Sequence, residues 1–303
     1  MVVQLTLSDT ILEQMAEEQR VVLSPWRAAV YIRRATYALP EERRRWHQFP
    51  TSSSNVLEAL SQMRGRNTLQ AIPNHPGYSR VSTPFTRNLS INEHELLFEL
   101  HPYAALSHLS ALQYHGLSIE RETYLTMSVP SDGRGDLLPL GTRGLDWEGA
   151  ELPSGSIPKT VLNTRVLTKR VNPADYFGLI EVEPRAIPLR YTGLERTLID
   201  AIQSPRLCGG VEAALSAWFE GSERIDVNAI VRQVERLNIA ILRQRIGFLL
   251  EELGLTHSHL THWQQQSQRG GSSRLVASLP FSSTYNERWN LSLNAPLGAL
   301  YNT

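Results

Sequence analysis

Residues 51–82 read TSSSNVLEALSQMRGRNTLQAIPNHPGYSRVS. The run Thr51-Ser52-Ser53-Ser54 supplies hydroxyl side chains of the kind that cap the free N–H groups at a helix start. Val56, Leu57 and Leu60 follow at helical spacing, and the segment closes near Gly65. Thr68 to Ile72 then reads as extended, Pro73-Asn74-His75-Pro76-Gly77 as a turn, and Tyr78 to Val81 as extended again. No acidic residue lies between Glu58 and Glu93, an interval that holds Arg64, Arg66, Arg80 and Arg87. Such a run is either a solvated surface or a face for a polyanion.

Helix, strand, turn and strand, with arginines and no acids, is the sequence outline of a winged helix. A plain β-hairpin after a surface helix is the simpler alternative. In the winged-helix reading, Ser54, Asn55, Gln62 and Arg64 occupy polar positions of the helix and have side chains that reach base edges and phosphates. The turn is the wing, and Arg66, His75 and Arg80 are its phosphate contacts. Working toward the N-terminus, Glu41 to Gln48 (EERRRWHQ) is a short charged piece closed by Pro50. Ser24-Pro25 starts a helix in the N-terminal-proline manner, and Ser8 or Asp9 caps an earlier one that runs to about Arg20. Residues 1–90 are therefore expected to form a winged-helix DNA-binding domain with an N-terminal helical extension.

The rest of the chain reads differently. Residues 82–93 look like a linker. Glu95–Leu100 and Tyr103–His115 read as helix interrupted at His101-Pro102, and Tyr124–Val129, Thr160–Leu167, Leu179–Val182 and Ile187–Tyr191 as strands. From Thr192 the pattern is helical, with Thr192-Gly193-Leu194-Glu195 at capping-box spacing and Arg196–Asp200 an i, i+4 pair. Asp226 caps a further helix, and Ile239–Leu253 forms another that ends at Gly254. The expected fold class is α+β: an N-terminal winged helix-turn-helix, then a mixed α/β domain over 91–303. That second domain is β-rich at 120–191, helical at 192–254 and extended at 255–303.

The length of 303 residues fits two or three domains. Thirty basic and thirty acidic residues give zero net charge, which excludes a protein that is basic throughout. By thirds the balance breaks: residues 1–90 hold 11 arginines against 7 acids, and residues 91–190 hold 9 basic against 13 acidic residues. All basic residues are arginine except Lys159 and Lys169. Arginine suits bidentate contacts to phosphate and guanine. No stretch approaches the length of a membrane span and no leader pattern opens the chain, so the expectation is a cytoplasmic protein.

Little in the chain suggests catalysis. His94, His101, His108 and His115 recur every seven residues, about 10.5 Å apart on a helix and too far to share one ion. His257, His259 and His262 have a spacing that a metal-dependent hydrolase or nuclease could use, or form a polar loop. Cys208, the single cysteine, precludes an intrachain disulfide, and no base is evident to activate it. There is no phosphate-binding glycine loop and no nucleophile elbow. We expect no catalytic residue, no metal and no cofactor.

Spaced blocks carry a resemblance. The segment HPYAALSHLSALQYHGL, residues 101–117, resembles a block of AbiEi-type antitoxins from abortive-infection (type IV) toxin–antitoxin pairs. YTGLERTLID (191–200), RIGFLLEELG (245–254) and WNLSLN (289–294) are similar to later blocks in the same order, and Gly77-Tyr78 is similar to the family's wing. Thr192-Gly193 departs from the usual Ala-Ser-type start, and residues 1–50 are longer than a compact winged helix needs. The resemblance implies an antitoxin and transcriptional autorepressor that binds inverted repeats in its own promoter, as a monomer or dimer, and counters a cognate nucleotidyltransferase-like toxin. Glu195, Arg196 and Asp200 are then either a helix start with an exposed intrahelical pair, or a toxin-facing or interdomain contact. A protein-interaction component of a defence system that binds no DNA is the alternative.

Overall fold

In the computed structural model the described residues are 4–47, 53–118, 123–183, 187–267 and 272–301. They form a mixed α+β fold, and the chain divides into two compact units. Unit 1 comprises Met1–Ala104, Val129–Val166 and Glu181–Arg190; unit 2 comprises Ala105–Ser128, Leu167–Ile180 and Tyr191–Thr303. Unit 1 thus takes in more of the chain than residues 1–90. The thirty residues of each sign divide as 17 and 17 in unit 1 and 13 and 13 in unit 2. The contrast between a basic first third and an acidic middle therefore closes inside one folded unit.

Unit 1 opens with α1 (Leu7–Glu17), β1 (Val22–Leu23), α2 (Pro25–Ala38), α3 (Ser53–Gly65), β2 (Leu69–Ala71), β3 (Ser79–Val81) and α4 (Glu93–Leu100). Thr6, rather than Ser8 or Asp9, caps α1: the Asp9 N–H donates to the Thr6 hydroxyl at 3.2 Å, and the Thr6 N–H to Asp9 Oδ2 at 2.8 Å. Asp9 completes this box from the first turn, which is why it is not itself the cap. Ser24 caps α2, with Pro25 where the missing N–H costs nothing. The cap of α3 at Thr51-Ser52 lies outside the described residues. Strands β1, β3 and β2 form an antiparallel sheet in that order, with Leu23 opposite Ser79 and Ala71 opposite Ser79 on its other side. Ile11, Met15, Tyr31, Ile32, Leu60, Met63, Leu69 and Val81 close the core beneath the helices. Leu5 pairs in parallel with Arg44, which pins the charged piece after α2 to the start of the chain.

The chain continues through β4 (Ala105–Leu106), α5 (His108–Tyr114), β5 (Tyr124–Pro130), β6 (Thr160–Val161), β7 (Thr164–Val171), β8 (Leu179–Val182) and β9 (Leu189–Thr192). Within unit 1, β6 pairs antiparallel with the start of β7, Val161 opposite Thr164. The single strand expected over Thr160–Leu167 is a hairpin, because Leu162 takes a left-handed φ of 51° and reverses the chain. Within unit 2, β4 pairs antiparallel with β5 (Leu106 opposite Met127) and parallel with β9 (Leu106 opposite Tyr191).

Unit 2 then adds α6 (Leu194–Gln203), α7 (Val211–Gly221), α8 (Val227–Leu237), α9 (Ala240–Glu252), α10 (Ser258–Ser267), β10 (Ser273–Arg274), β11 (Tyr285–Asn286) and β12 (Leu291–Ser292). Its core is built around Trp218, Phe248, Trp263 and Trp289, all buried. The indole N–H of Trp218 donates to Leu198 O at 2.9 Å and that of Trp289 to Glu251 at 2.6 Å, so neither buried donor is left unpaired. Asp226 caps α8 as expected. The capping box at Thr192–Glu195 does not form: Gly193 is the N-cap, and the Thr192 hydroxyl bonds Thr197 Oγ1 at 2.7 Å instead. Among the described residues no helix is long and apolar enough to cross a membrane.

Candidate nucleic-acid interface

The local sequence of α3 decides what it shows to solvent. Val56, Ala59, Leu60 and Met63 are buried, so Ser54, Asn55, Glu58, Ser61, Gln62 and Arg64 are exposed. At about 100° per residue, Ser54, Glu58 and Ser61 share the centre of that face, Leu57 and Arg64 one flank, and Asn55 and Gln62 the other. Leu57, which its spacing suggests for the core, is 53% exposed. Glu58 accepts a long hydrogen bond from Gln62 at 3.4 Å. Among the described residues no hydrogen bond or ion pair engages the guanidinium of Arg64 or of Arg66, which is also exposed.

The turn between β2 and β3 is placed differently from expectation. His75 is buried, and its Nε2 accepts the Leu162 N–H at 3.2 Å. Burial holds the imidazole below its usual range, and the bond requires the neutral ring. His75 is therefore not a phosphate contact; it ties the turn to the β6–β7 hairpin. Arg80 is half-buried and donates to the carbonyls of Thr86 at 3.2 Å and Leu89 at 3.0 Å. The tip residues Pro73, Asn74, Pro76 and Gly77 are exposed and uncharged.

Several arginines of the first ninety residues face inward. Glu99, fully buried on α4, accepts from Arg27 Nε at 2.9 Å, Arg20 Nη1 at 3.3 Å and the Ser24 hydroxyl. Arg20 also pairs with Glu18 at 2.6 Å, and Tyr31 donates to the same carboxylate at 2.7 Å. Burial alone would raise the Glu18 pKa; the Arg20 charge and the Tyr31 bond outweigh it and hold the carboxyl low. One turn before Glu99, Glu95 accepts the N–H groups of Val21 and Val22, each at 2.9 Å, and burial pushes its carboxyl up to about 7. Arg34 is held by Asp146 at 2.8 Å. Arg33 and Arg44 are buried as well. Five arginines of this stretch remain exposed: Arg43, Arg45, Arg64, Arg66 and Arg87.

The residues singled out in α6 lie in unit 2. Arg196 and Asp200 are 4% and 3% exposed, so they form a buried pair and present no surface to a toxin. Arg196 Nε meets both Asp200 oxygens at 3.1 Å, and Nη1 donates to Asp175 O at 2.7 Å and Phe177 O at 3.2 Å. Glu195 is half-buried and accepts the Asp226 N–H at 3.1 Å, bracing the start of α8. The sequence spacing revealed the i, i+4 pair but not its burial, which depends on the backbone carbonyls of the segment after β7.

The histidines do not assemble. His108 is buried with Nδ1 2.8 Å from Ser107 Oγ, and burial lowers its pKa to about 4. The His257 ring meets Asn228 at 3.1 Å and that of His262 meets Gln266 at 2.8 Å. Among the described residues no group of three His, Cys, Asp or Glu side chains is placed to hold a metal ion. Cys208 is buried, and burial pushes its thiol up, away from nucleophilic character.

No family model matches the chain, and no curated protein matches it. Among solved structures, the crystal structure of the RV2827C protein from Mycobacterium tuberculosis is similar over 98% of this chain and 94% of that one, with a TM-score of 0.50 at 13% identity. At that identity the likeness extends to the fold alone.

Proposed function

We propose that the protein is a DNA-binding transcriptional regulator whose N-terminal part is a winged helix with α3 as the reading helix. The order α1-β1-α2-α3-β2-β3 with strands arranged β1-β3-β2 supports that reading. The observation that carries it is the exposed face of α3: Ser54, Asn55 and Gln62 for base edges, with Arg64 and Arg66 unengaged and available to phosphate. Arg80 and His75 drop out of that set because both are held within the fold. In the family reading the promoter is the protein's own, the rest of the chain counters a nucleotidyltransferase-like toxin, and no cofactor takes part. The spaced blocks from 101 to 294 support that half of the proposal, and Glu195, Arg196 and Asp200 have only a structural place in it.

Two experiments test the two halves. A gel shift with the duplex upstream of the gene should show binding by the wild type and a marked loss for Arg64→Ala/Arg66→Ala. Equal affinity for the double variant would remove α3 from the interface. Co-expression with an adjacent nucleotidyltransferase-fold gene should restore growth; continued toxicity would refute the antitoxin half.

A further inference from the structure

We propose that the segment Arg43–Trp46 is a second phosphate-binding element, and that it, rather than the turn between β2 and β3, flanks α3 on DNA. This rests on the α3 reading above and extends it to residues in a stretch that sequence spacing leaves as a bare charged piece. A groove of about 220 Å³ is lined by Asn55, Glu58 and Gln62 of α3 together with Thr6, Arg45 and Trp46, so one carboxylate shares it with the Arg45 guanidinium. Arg45 thus lines the same groove as the two amide side chains assigned to base edges.

The segment is built to hold that position. Leu5 N–H donates to Arg43 O at 2.9 Å, and Arg45 N–H donates to Leu5 O at 3.1 Å, so its backbone is fixed from both sides. Arg44, between them, turns inward and is buried. The Trp46 indole donates to Thr36 Oγ1 at 3.0 Å and anchors the segment to α2. Arg43 and Arg45 are exposed, and among the described residues neither guanidinium has an acidic or carbonyl partner. A fixed backbone bearing two free guanidinium groups loses less entropy on meeting a phosphate than a mobile arm does.

The turn after β2 offers the opposite arrangement. His75 is committed to Leu162 N–H, Arg80 to two carbonyls, and the exposed tip carries no charge. The turn itself thus carries no unengaged cation, whereas Arg45 lines the groove beside α3.

Equilibrium anisotropy with the full chain, a salt titration and two duplexes (the gene's own upstream region and a scrambled one) tests this. Each phosphate contact adds roughly 0.9 to the salt slope of log affinity. Arg43→Ala/Arg45→Ala should reduce the slope by roughly 1.8, leave the own-to-scrambled affinity ratio unchanged and recover with Arg43→Lys/Arg45→Lys. Unfolding curves matching wild type would confirm that the variant keeps its fold. A wild-type slope in Arg43→Ala/Arg45→Ala alongside a reduced slope in Arg64→Ala/Arg66→Ala overturns this element and leaves the α3 reading standing. No binding of either duplex by the wild type overturns both.

Discussion

Arg20 and Arg27 beside Glu99, and Arg64 and Arg66 at the end of α3 and just after it, are the same residue type within one folded unit, and they do opposite things. The first two are 2% and 1% exposed and converge on one carboxylate. The second two face solvent with no protein partner among the described residues. A count of arginines cannot separate these populations. Glu99 lies more than seventy residues from the arginines it neutralises, so the basic stretch and the acidic stretch that follows it are partly two sides of one buried network. Five arginines of the first ninety residues remain exposed, and net charge does not reveal which they are.

The largest expected effect falls on the buried set. Glu99→Ala removes the carboxylate shared by two buried guanidinium groups, leaving Arg20 only Glu18 and Arg27 only the Leu140 carbonyl, and should destabilise the protein by about 3–5 kcal/mol, measured by urea unfolding. A change below 1 kcal/mol would show that water reaches and solvates the cluster. Unit 2 provides a parallel. Asp200→Ala removes one partner of Arg196 but leaves the carbonyls of Asp175 and Phe177, so a smaller cost of about 1.5–3 kcal/mol is expected. A larger loss than that of Glu99→Ala would reverse the ranking of the two networks.

Glu95 sharpens the contrast through pH. Burial raises its carboxyl from 4.5 to about 7, so the folded state holds this proton more tightly than the unfolded chain does. Its contribution to stability is full below pH 4.5 and is lost as pH rises through about 7. Glu95→Gln should flatten this dependence, worth on the order of 1–3 kcal/mol. An unchanged pH profile would mean that the two N–H bonds from Val21 and Val22 keep the carboxylate charged throughout. The smallest stability effect belongs to the exposed set: Arg64→Ala/Arg66→Ala should shift unfolding by no more than about 0.5 kcal/mol while weakening DNA binding. A large loss of stability would place these side chains in the fold rather than on its surface.

Much of the fold was legible where its causes are local. The helix–strand–turn–strand run at 51–82, the Ser24-Pro25 start and the Asp226 cap all rest on residues within a few positions of one another. The misreadings share a different origin. His75 looked like a wing residue until the Leu162 N–H, 87 positions away, appeared beside it. Thr192–Glu195 had the spacing of a capping box, but a hydroxyl on the next turn took the Thr192 side chain. Arg196–Asp200 was legible as a pair and illegible as a buried one. The α3 face was partly readable, since Ser54, Asn55, Gln62 and Arg64 are exposed as their polarity suggested, whereas Leu57 was exposed against its hydrophobicity. Arg45 was invisible as a neighbour of that face because the groove joins segments through Leu5, at the far end of the chain.

The most direct test of the two arginine populations is phenylglyoxal modification read by mass spectrometry, with and without the gene's upstream duplex. Without DNA, Arg43, Arg45, Arg64, Arg66 and Arg87 should react readily, and Arg20, Arg27, Arg33 and Arg44 should not. With DNA, Arg43, Arg45, Arg64 and Arg66 should become protected. Equal reactivity of Arg64 and Arg66 with and without bound duplex, or ready modification of Arg20 and Arg27 in the folded protein, would contradict the account.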